Sequence, residues 1–527
     1  MLRHHQPLGL ALVLLAAVLV LSGRALHGQF LSDDIAIMHW LLGWEQERGL
    51  WHSVLGQFGA GLPVPSHYYR PLAFVLYALD YRLYDWQPFG WHLSNLLIHL
   101  GNAALVGLIA RVLATDALRA VLAAGLFALF PLAPEVSIWL SGRYDALALT
   151  GMLVAVYGHL RALGWDRWRL LSLAGFAFGL AAKESAMTTP GLLLIASFLL
   201  GADGYSPWPR LRRALAACWP ALLLFACYLL LRTALFGSML QVYPDSQPGR
   251  LLSLGELGAR LWALGQIPRA AFAEAPVAGG AALLVVWFGL VAAAGLAWRR
   301  QDWVPRLLLP LAFTLLSLLA LVPHLEGVMS SGEGGRFYYA TAAWLALLLA
   351  GAIDLVRPRL LLALVLCAGF ASAQRVMLDA WAEAGGAMRQ LLPELARAAS
   401  TLGPDQIGLL LVPDALGPVP FARNAQGGIS VPPQQPEEFL TRLLPFVAAD
   451  LGQWPVLLEQ GLVAGLKHDP NAAPRLDAVF CFDADRGRIV RADSVPDWHD
   501  PAAFRRDWRE FLSASGCRRG YAELLTP

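Results

Sequence analysis

The run LGLALVLLAAVLVLS, residues 8–22, contains no charged side chain, and Arg3, His4 and His5 precede it. Apolar runs of this kind recur along the chain, near the ~20 residues that cross a roughly 30 Å hydrocarbon core. They lie near 8–22, 90–112, 117–134, 145–162, 168–184, 186–201, 213–235, 278–298, 304–322, 337–356 and 359–374. Ser22-Gly23 would also suit cleavage of a secretory signal. An uncleaved first span is preferred, because the rest of the chain is equally membranous and polar chemistry follows the run directly. Hydrophobic residues make up 57% of 527 and charged residues 15%, with a mean hydropathy of +0.52. A soluble domain carries about 25% charged residues, so most of this chain meets lipid. A net charge of +2 offers no global field to nucleic acid.

Basic residues set the orientation. Arg3, Arg111 with Arg119, Arg161 with Arg167 and Arg169, Arg210 with Arg212 and Arg213, Arg299 with Arg300 and Arg306, and Arg357 with Arg359 all fall on one side of an eleven-span count. That side is predicted to be cytoplasmic, with the N-terminus. The long segments 23–89, 135–144, 236–277, 323–336 and 375–527 then lie outside. In the first loop, Ile35–Leu42 and Pro71–Leu83 suit interfacial helices, with Trp40, Trp44, Trp51, Tyr69, Tyr77 and Tyr81 among the belt aromatics. Segment 251–275 also has an interfacial pattern.

The fold class predicted is therefore an α-helical polytopic membrane protein of about 11 transmembrane helices with a small C-terminal extracytoplasmic α/β domain. The membrane domain is assigned to residues 1–374 and the soluble domain to 375–527. In the tail, Ile407–Val412 and Ala478–Phe482 read as buried strands, and Trp508, Phe511 and Leu512 suggest a last helix. Cys481 and Cys517 can pair if the compartment is oxidising. No internal repeat is present.

Ionisable groups are costly in a span and ask for a partner or a role. Here they gather near the outer ends. Asp33-Asp34 follow the first span; one carboxylate can accept a proton while the other holds a metal or an acceptor group. A solvated acid pair is the plainer alternative. His92, Asn95, His99 and Asn102 share one helical face. Helix packing suits His99 and Asn102, while His92 and Asn95 lie nearer a possible site. Glu135, Arg143, Tyr144 and Asp145 crowd a short outer turn, where Arg143 can hold a phosphate or pair with Glu135 or Asp145. Lys183-Glu184 sit between two apolar runs, and Arg336-Phe337-Tyr338-Tyr339 open a late span. Carboxylates, a lysine and two arginines on one face suit a phosphorylated lipid headgroup.

Four stretches in this order resemble a known family: Phe30-Leu31-Ser32-Asp33-Asp34; Tyr69-Arg70-Pro71-Leu72 running into Pro88 through His99; Phe130-Pro131 through Glu135 to Asp145; and Ala182-Lys183-Glu184-Ser185-Ala186. Arg336-Phe337-Tyr338-Tyr339 is a weaker fifth. Together they resemble the GT-C glycosyltransferases, most closely the membrane half of the transmembrane-and-TPR O-mannosyltransferases and their bacterial relatives. The resemblance implies a polyprenyl-phosphate-linked sugar donor and inverting transfer to a hydroxyl of an unknown protein, glycan or lipid acceptor outside the cytoplasm. It implies Asp33 as the catalytic carboxylate with Asp34 beside it, and Glu135 as a second acid. Arg143, Lys183 and Arg336 are expected to contact the donor phosphate. Arg70, His92, Asn95, Asp145, Glu184 and Tyr338 are expected to support them. A divalent cation (Mg or Mn) could share the charge, although no clear ligand set is visible. The family's His-Pro-x-His-x-Glu run is here Phe130-Pro131-Leu132-Ala133-Pro134-Glu135, without histidine, and no TPR array follows. A bacterial inner membrane is the expected location. A lipid-linked-sugar transporter and a non-catalytic envelope assembly protein are the rival readings; the first predicts helix breaks at mid-membrane depth.

Overall fold

The structure, a computed structural model, describes residues 2–60, 67–114, 116–162, 166–201, 206–241, 253–260, 262, 303–321, 333–356, 358–425, 427–438, 440, 442–447, 476–492, 494–495 and 501–525. Its helices run in the order α1 (Leu2–Ser22), α2 (Asp33–Glu47), α3 (Leu50–Gly56), α4 (Pro71–Tyr84), α5 (Pro88–Leu113), α6 (Ala117–Ala128) and α7 (Pro134–Ser137). Then come α8 (Arg143–Arg161), α9 (Arg167–Ala182), α10 (Thr189–Leu199), α11 (Pro207–Phe236), α12 (Leu309–Leu321), α13 (Tyr339–Leu355) and α14 (Arg359–Ser400). Every predicted span except 278–298 falls on one of these helices. The span at 278–298 and most of segment 251–275 lie outside the described residues.

Among the described residues, five helices are long and apolar enough to cross a membrane: Leu8–His27, Pro88–Leu113, Pro207–Phe236, Gly335–Leu355 and Arg359–Ser400. Ala117–Ala128, Glu184–Leu199 and Val304–Ala320 are shorter apolar helices. The predicted span 117–134 is cut short, with α6 ending at Ala128. Pro131 and Pro134 lack the N–H that a continuing helix would need.

The chain divides into two compact units, Met1–Leu26 with Trp44–Leu378, and His27–Gly43 with Asp379–Pro527. The division departs from the expected boundary in one respect that matters: residues 27–43, which carry Asp33-Asp34, belong with the tail.

In the first unit α8 and α9 cross through small residues. A Cβ added at Gly151 would lie 2.4 Å from the Gly179 backbone nitrogen, and one at Gly158 would lie 2.7 Å from that of Ser172. Small side chains let two backbones approach this closely where lipid offers no hydrophobic drive to pack. Several aromatics expected at the interface are interior instead. Tyr77 is fully buried, with its hydroxyl donating to Leu140 O at 2.7 Å, and Tyr69 and Tyr81 are also buried. On the side assigned to the cytoplasm, Arg306 pairs with Asp354, and Arg359 reaches both Asp354 and Asp116 at 3.2 Å.

The second unit holds a sheet of β1 (Gly408–Val412), β4 (Leu443–Val447), β5 (Ala478–Asp483) and β6 (Arg488–Arg491), in the order β4-β1-β5-β6. A small hairpin joins β2 (Ala415–Leu416) to β3 (Val419–Pro420). Central β1 is parallel to β4 and β5, and β6 is antiparallel to β5. Strands covered on both sides read as unbroken apolar runs, as β1 and β5 do. Helix α15 (Pro501–Ser515) and α16 (Ala522–Leu525) complete the unit. Leu409, Leu411, Val479, Trp508, Leu512 and Tyr521 form its core. Cys481 and Cys517 are joined by a disulfide there, and the Tyr521 hydroxyl lies 3.0 Å from Leu411 O and 3.1 Å from Phe482 O.

Candidate functional site

The close α8–α9 crossing sets the first feature of the site. It brings Lys183, just past the end of α9, onto Asp145 in the first turn of α8, with Nζ 2.7 Å from both carboxylate oxygens. Glu184 follows at once and accepts from Arg70 Nη2 at 3.0 Å, Arg70 Nε at 3.3 Å and the Tyr69 N–H at 3.2 Å. Arg232, fully buried on α11, stands 3.9 Å from the same carboxylate. Sequence reading did not single out Arg232, although an arginine inside an apolar helix is a signal of this kind.

Arg336 supplies a third pair, with Glu135. The turn before it depends on two glycines. Gly334 has φ +90°, a region that costs L side chains energy, and a Cβ at Gly335 would press on Leu132 at 3.0 Å. The approach lets the Arg336 N–H donate to Glu135 Oε2 at 3.3 Å, while its guanidinium lies over Trp139 and Phe337. Glu135 is 1% exposed. Burial pushes its carboxyl above the usual range, and the Arg336 charge opposes that shift.

Arg70, Lys183, Arg336, Asp145 and Glu184 line one cavity of about 200 Å³. Much of the remaining wall is apolar, including Leu149, Met152, Met187 and Leu240. Ser317 and Thr341 also line it; both are buried, and neither hydroxyl has a hydrogen-bond partner among the described residues. Charged donors at the mouth of an apolar wall suit an anionic headgroup attached to a hydrocarbon chain.

The structure corrects the expectation for Arg143. Its side chain is wholly buried and does not line the cavity. Nη2 pairs with Asp80 at 2.6 Å, Nε donates to Asn95 Oδ1 at 2.6 Å, and Nη2 donates to Trp91 O at 3.2 Å. Arg143 is committed inside the bundle, while Arg70 lines the cavity. His92 and Asn95 serve the same packing, donating to Ile138 O at 2.7 Å and Trp139 O at 2.6 Å. His99 and Asn102 do bridge helices, His99 to Tyr339 and Ala128 and Asn102 to Ala146. Tyr338 packs with Leu132 and Met377. Asp80, the partner of Arg143, was missed, although an acid within an apolar helix could have flagged it.

Asp33 and Asp34 part company in the second unit. Asp34 is 1% exposed, and its Oδ2 accepts the Leu31 N–H at 3.2 Å, so it closes the turn that starts α2. Asp33 is partly exposed, and its Oδ1 accepts from Asn424 Nδ2 at 2.8 Å. Two neighbours in sequence thus have different work, one structural and one accessible. Among the described residues no three His, Cys, Asp or Glu side chains converge as a metal site. Asp145, Glu184 and Glu135 are each engaged by a cation.

No protein-family model matches the chain. It is 34% identical over 154 residues to protein O-mannosyl-transferase Tmtc2 of Drosophila melanogaster, covering 27% of this chain and 16% of that protein. It is 29% identical over 143 residues to protein O-mannosyl-transferase TMTC3 of Homo sapiens, 26% of this chain and 15% of that one. For human TMTC4 the match is 27% over 220 residues, 37% of this chain and 30% of that one. The chain therefore spans under a third of the length of these relatives. Among solved structures, ArnT from Cupriavidus metallidurans in the apo state aligns with TM-score 0.48 and 14% identity, over 90% of this chain and 92% of that one. The same protein bound to undecaprenyl phosphate aligns with TM-score 0.47 and 15% identity over the same shares. By sequence the chain is similar to the protein O-mannosyl-transferases, as the motif stretches led us to expect.

Proposed function

We propose that the protein is a membrane glycosyltransferase that moves a sugar from a polyprenyl-phosphate donor to an acceptor hydroxyl on the extracytoplasmic side. The observation that carries this reading is the cavity rimmed by Arg70, Lys183 and Arg336, each held by a carboxylate, against an apolar wall. Similarity to the O-mannosyl-transferases and the motif order support it. The positive-inside pattern favours a cytoplasmic N-terminus and an extracytoplasmic tail, and a bacterial plasma membrane is the proposed setting.

In the proposed reaction the acceptor oxygen bonds to the anomeric carbon as the bond from that carbon to the phosphate oxygen breaks. The bonding pair leaves with the phosphate, and the hydroxyl proton passes to the Asp33 carboxylate. The donor phosphate gains charge as it departs. Lys183 and Arg336, with Arg70, stabilise that charge, usually the largest electrostatic contribution in such transfers. Glu135 orients Arg336 and Asp145 orients Lys183, so the cations are in place before the donor arrives. The hydroxyls of Ser317 and Thr341 are suited to polar groups of the donor, since buried polar groups require partners.

Purified protein in detergent, incubated with radiolabelled polyprenyl-phosphate hexoses and pentoses and a cell-envelope extract that supplies acceptor hydroxyls, tests the reading. Label should leave the lipid fraction for one of them, with inversion at the anomeric carbon. Every donor remaining intact, while the same protein reconstituted in vesicles moves labelled lipid across the bilayer, would favour transport instead.

A further inference from the structure

We propose that the C-terminal unit is part of the transferase machinery, because it holds the Asp33 carboxylate in place, and that Asn424 is the positioning residue through which it does so. The inference rests on the reading of Asp33 as the proton acceptor.

Residues His27–Gly43 fold within the unit that contains Asp379–Pro527. The turn 421–424 engages the acidic segment at successive positions. The Ser32 N–H donates to Phe421 O at 2.8 Å, the Ser32 hydroxyl donates to Arg423 O at 2.8 Å, and Asn424 Nδ2 donates to Asp33 Oδ1 at 2.8 Å. Nearly two helical turns on, His39 Nε2 donates to Gly428 O at 3.2 Å. A Cβ at Gly428 would lie 2.5 Å from Ile35, so the two segments are in close contact.

The turn is itself anchored to the sheet. Arg423 pairs with Asp414, two residues beyond β1, with Nε 3.0 Å from Oδ2, and the Phe421 N–H donates to Asp414 O at 2.8 Å. Position is therefore passed from the central strand through Asp414 and Arg423 to the turn, and from the turn to Asp33. Ser32 at φ +51° and Asn424 at φ +59° flank the contact in the left-handed region. Asparagine tolerates that region and serine does so less readily. Non-glycine residues stay there when the surroundings over-determine them, and such positions cluster at functional sites. A hydrogen bond from the Asn424 amide to one carboxylate oxygen restricts the rotation of the group. Such orientation is what a proton acceptor needs, since small misplacements cost large factors in rate.

Two substitutions separate positioning from mere folding. Asn424→Gly keeps the backbone conformation and removes the amide; Asn424→Asp keeps the shape and sets a second carboxylate against Asp33. Measured on the full-length protein, both should lower kcat about tenfold and leave the KM for the lipid donor unchanged. In Asn424→Asp the acid limb of the kcat–pH profile should also move up by about one pH unit, because a like charge favours the protonated form. Wild-type kcat and profile in both variants would overturn the inference while leaving the transferase reading intact. So would a loss of kcat with a rising donor KM and an unmoved profile, which marks general disruption. Absence of turnover in the wild type overturns the functional reading and this inference with it.

Discussion

Replacing Lys183 by methionine tests whether this lysine serves the donor or only neutralises Asp145. The two side chains are 13% and 9% exposed, with Nζ 2.7 Å from Oδ2. Removing one partner of a buried pair leaves the other charge uncompensated, at a cost of about 3–5 kcal/mol. That is a large share of the roughly 5–15 kcal/mol that stabilises a typical fold, so Lys183→Met should lower the thermal midpoint in detergent markedly. Adding Asp145→Leu removes the stranded charge. Replacement of a buried pair by apolar side chains of similar volume is often neutral or stabilising, so the double variant should regain most of the lost stability. Donor affinity should not return with it. A charged hydrogen bond to phosphate contributes about 1.5–3 kcal/mol, which is about tenfold to a hundredfold in Kd. The assay is equilibrium binding of radiolabelled polyprenyl phosphate to each variant alongside thermal unfolding. A double variant that binds donor like the wild type would refute the donor role of Lys183.

Three further outcomes follow from the same geometry. Arg143→Ala should cost about 3–5 kcal/mol, since Asp80 is left buried without its counter-charge, with the Ser94 hydroxyl still donating to it; measured per folded molecule, donor affinity should be unchanged, and a selective loss of affinity would return Arg143 to the donor site. Gly151→Val should force α8 from α9 and cost about 2 kcal/mol or more, with the expected fall in thermal midpoint greater than for valine at Gly101, where an added Cβ meets nothing within 4 Å. Reducing the Cys481–Cys517 bridge, with 36 residues of separation, should destabilise the tail by about 4 kcal/mol on the chain-entropy account, visible as a lowered unfolding transition of the full-length protein.

Much of this was legible in the sequence because lipid imposes strong constraints. Long apolar runs have few alternatives to helix in a bilayer, so the helices that carry the predicted spans among the described residues could be placed from composition. The pairing of Lys183 with Asp145, and of Arg336 with Glu135, follows from the cost of an unpaired charge among apolar helices, but the choice of partner does not. Arg143 shows the difference. From sequence it was equally suited to a phosphate, Glu135 or Asp145; the structure gives it Asp80, 63 residues earlier on α4. That choice is made by the packing of α4 and α5, and no local pattern records it. The aromatics Tyr69 and Tyr77 misled for a related reason, since an amphipathic ring suits a membrane interface and a buried hydroxyl-to-carbonyl bond equally well. The grouping of residues 27–43 with the tail was also hidden. It depends on contacts across nearly 400 residues of chain, such as Ser32 with Arg423 and Asp33 with Asn424. The adjacent acids were visible as a pair, but only their surroundings separate the turn-closing Asp34 from the accessible Asp33.

The central claim is that Asp33 accepts the acceptor's proton while the cavity cations hold the donor. A single-turnover measurement on Asp33→Asn, with the labelled lipid donor prebound, tests it most directly. The account predicts donor binding equal to that of the wild type, with transfer to the acceptor abolished. Transfer at the wild-type rate in this variant would contradict it.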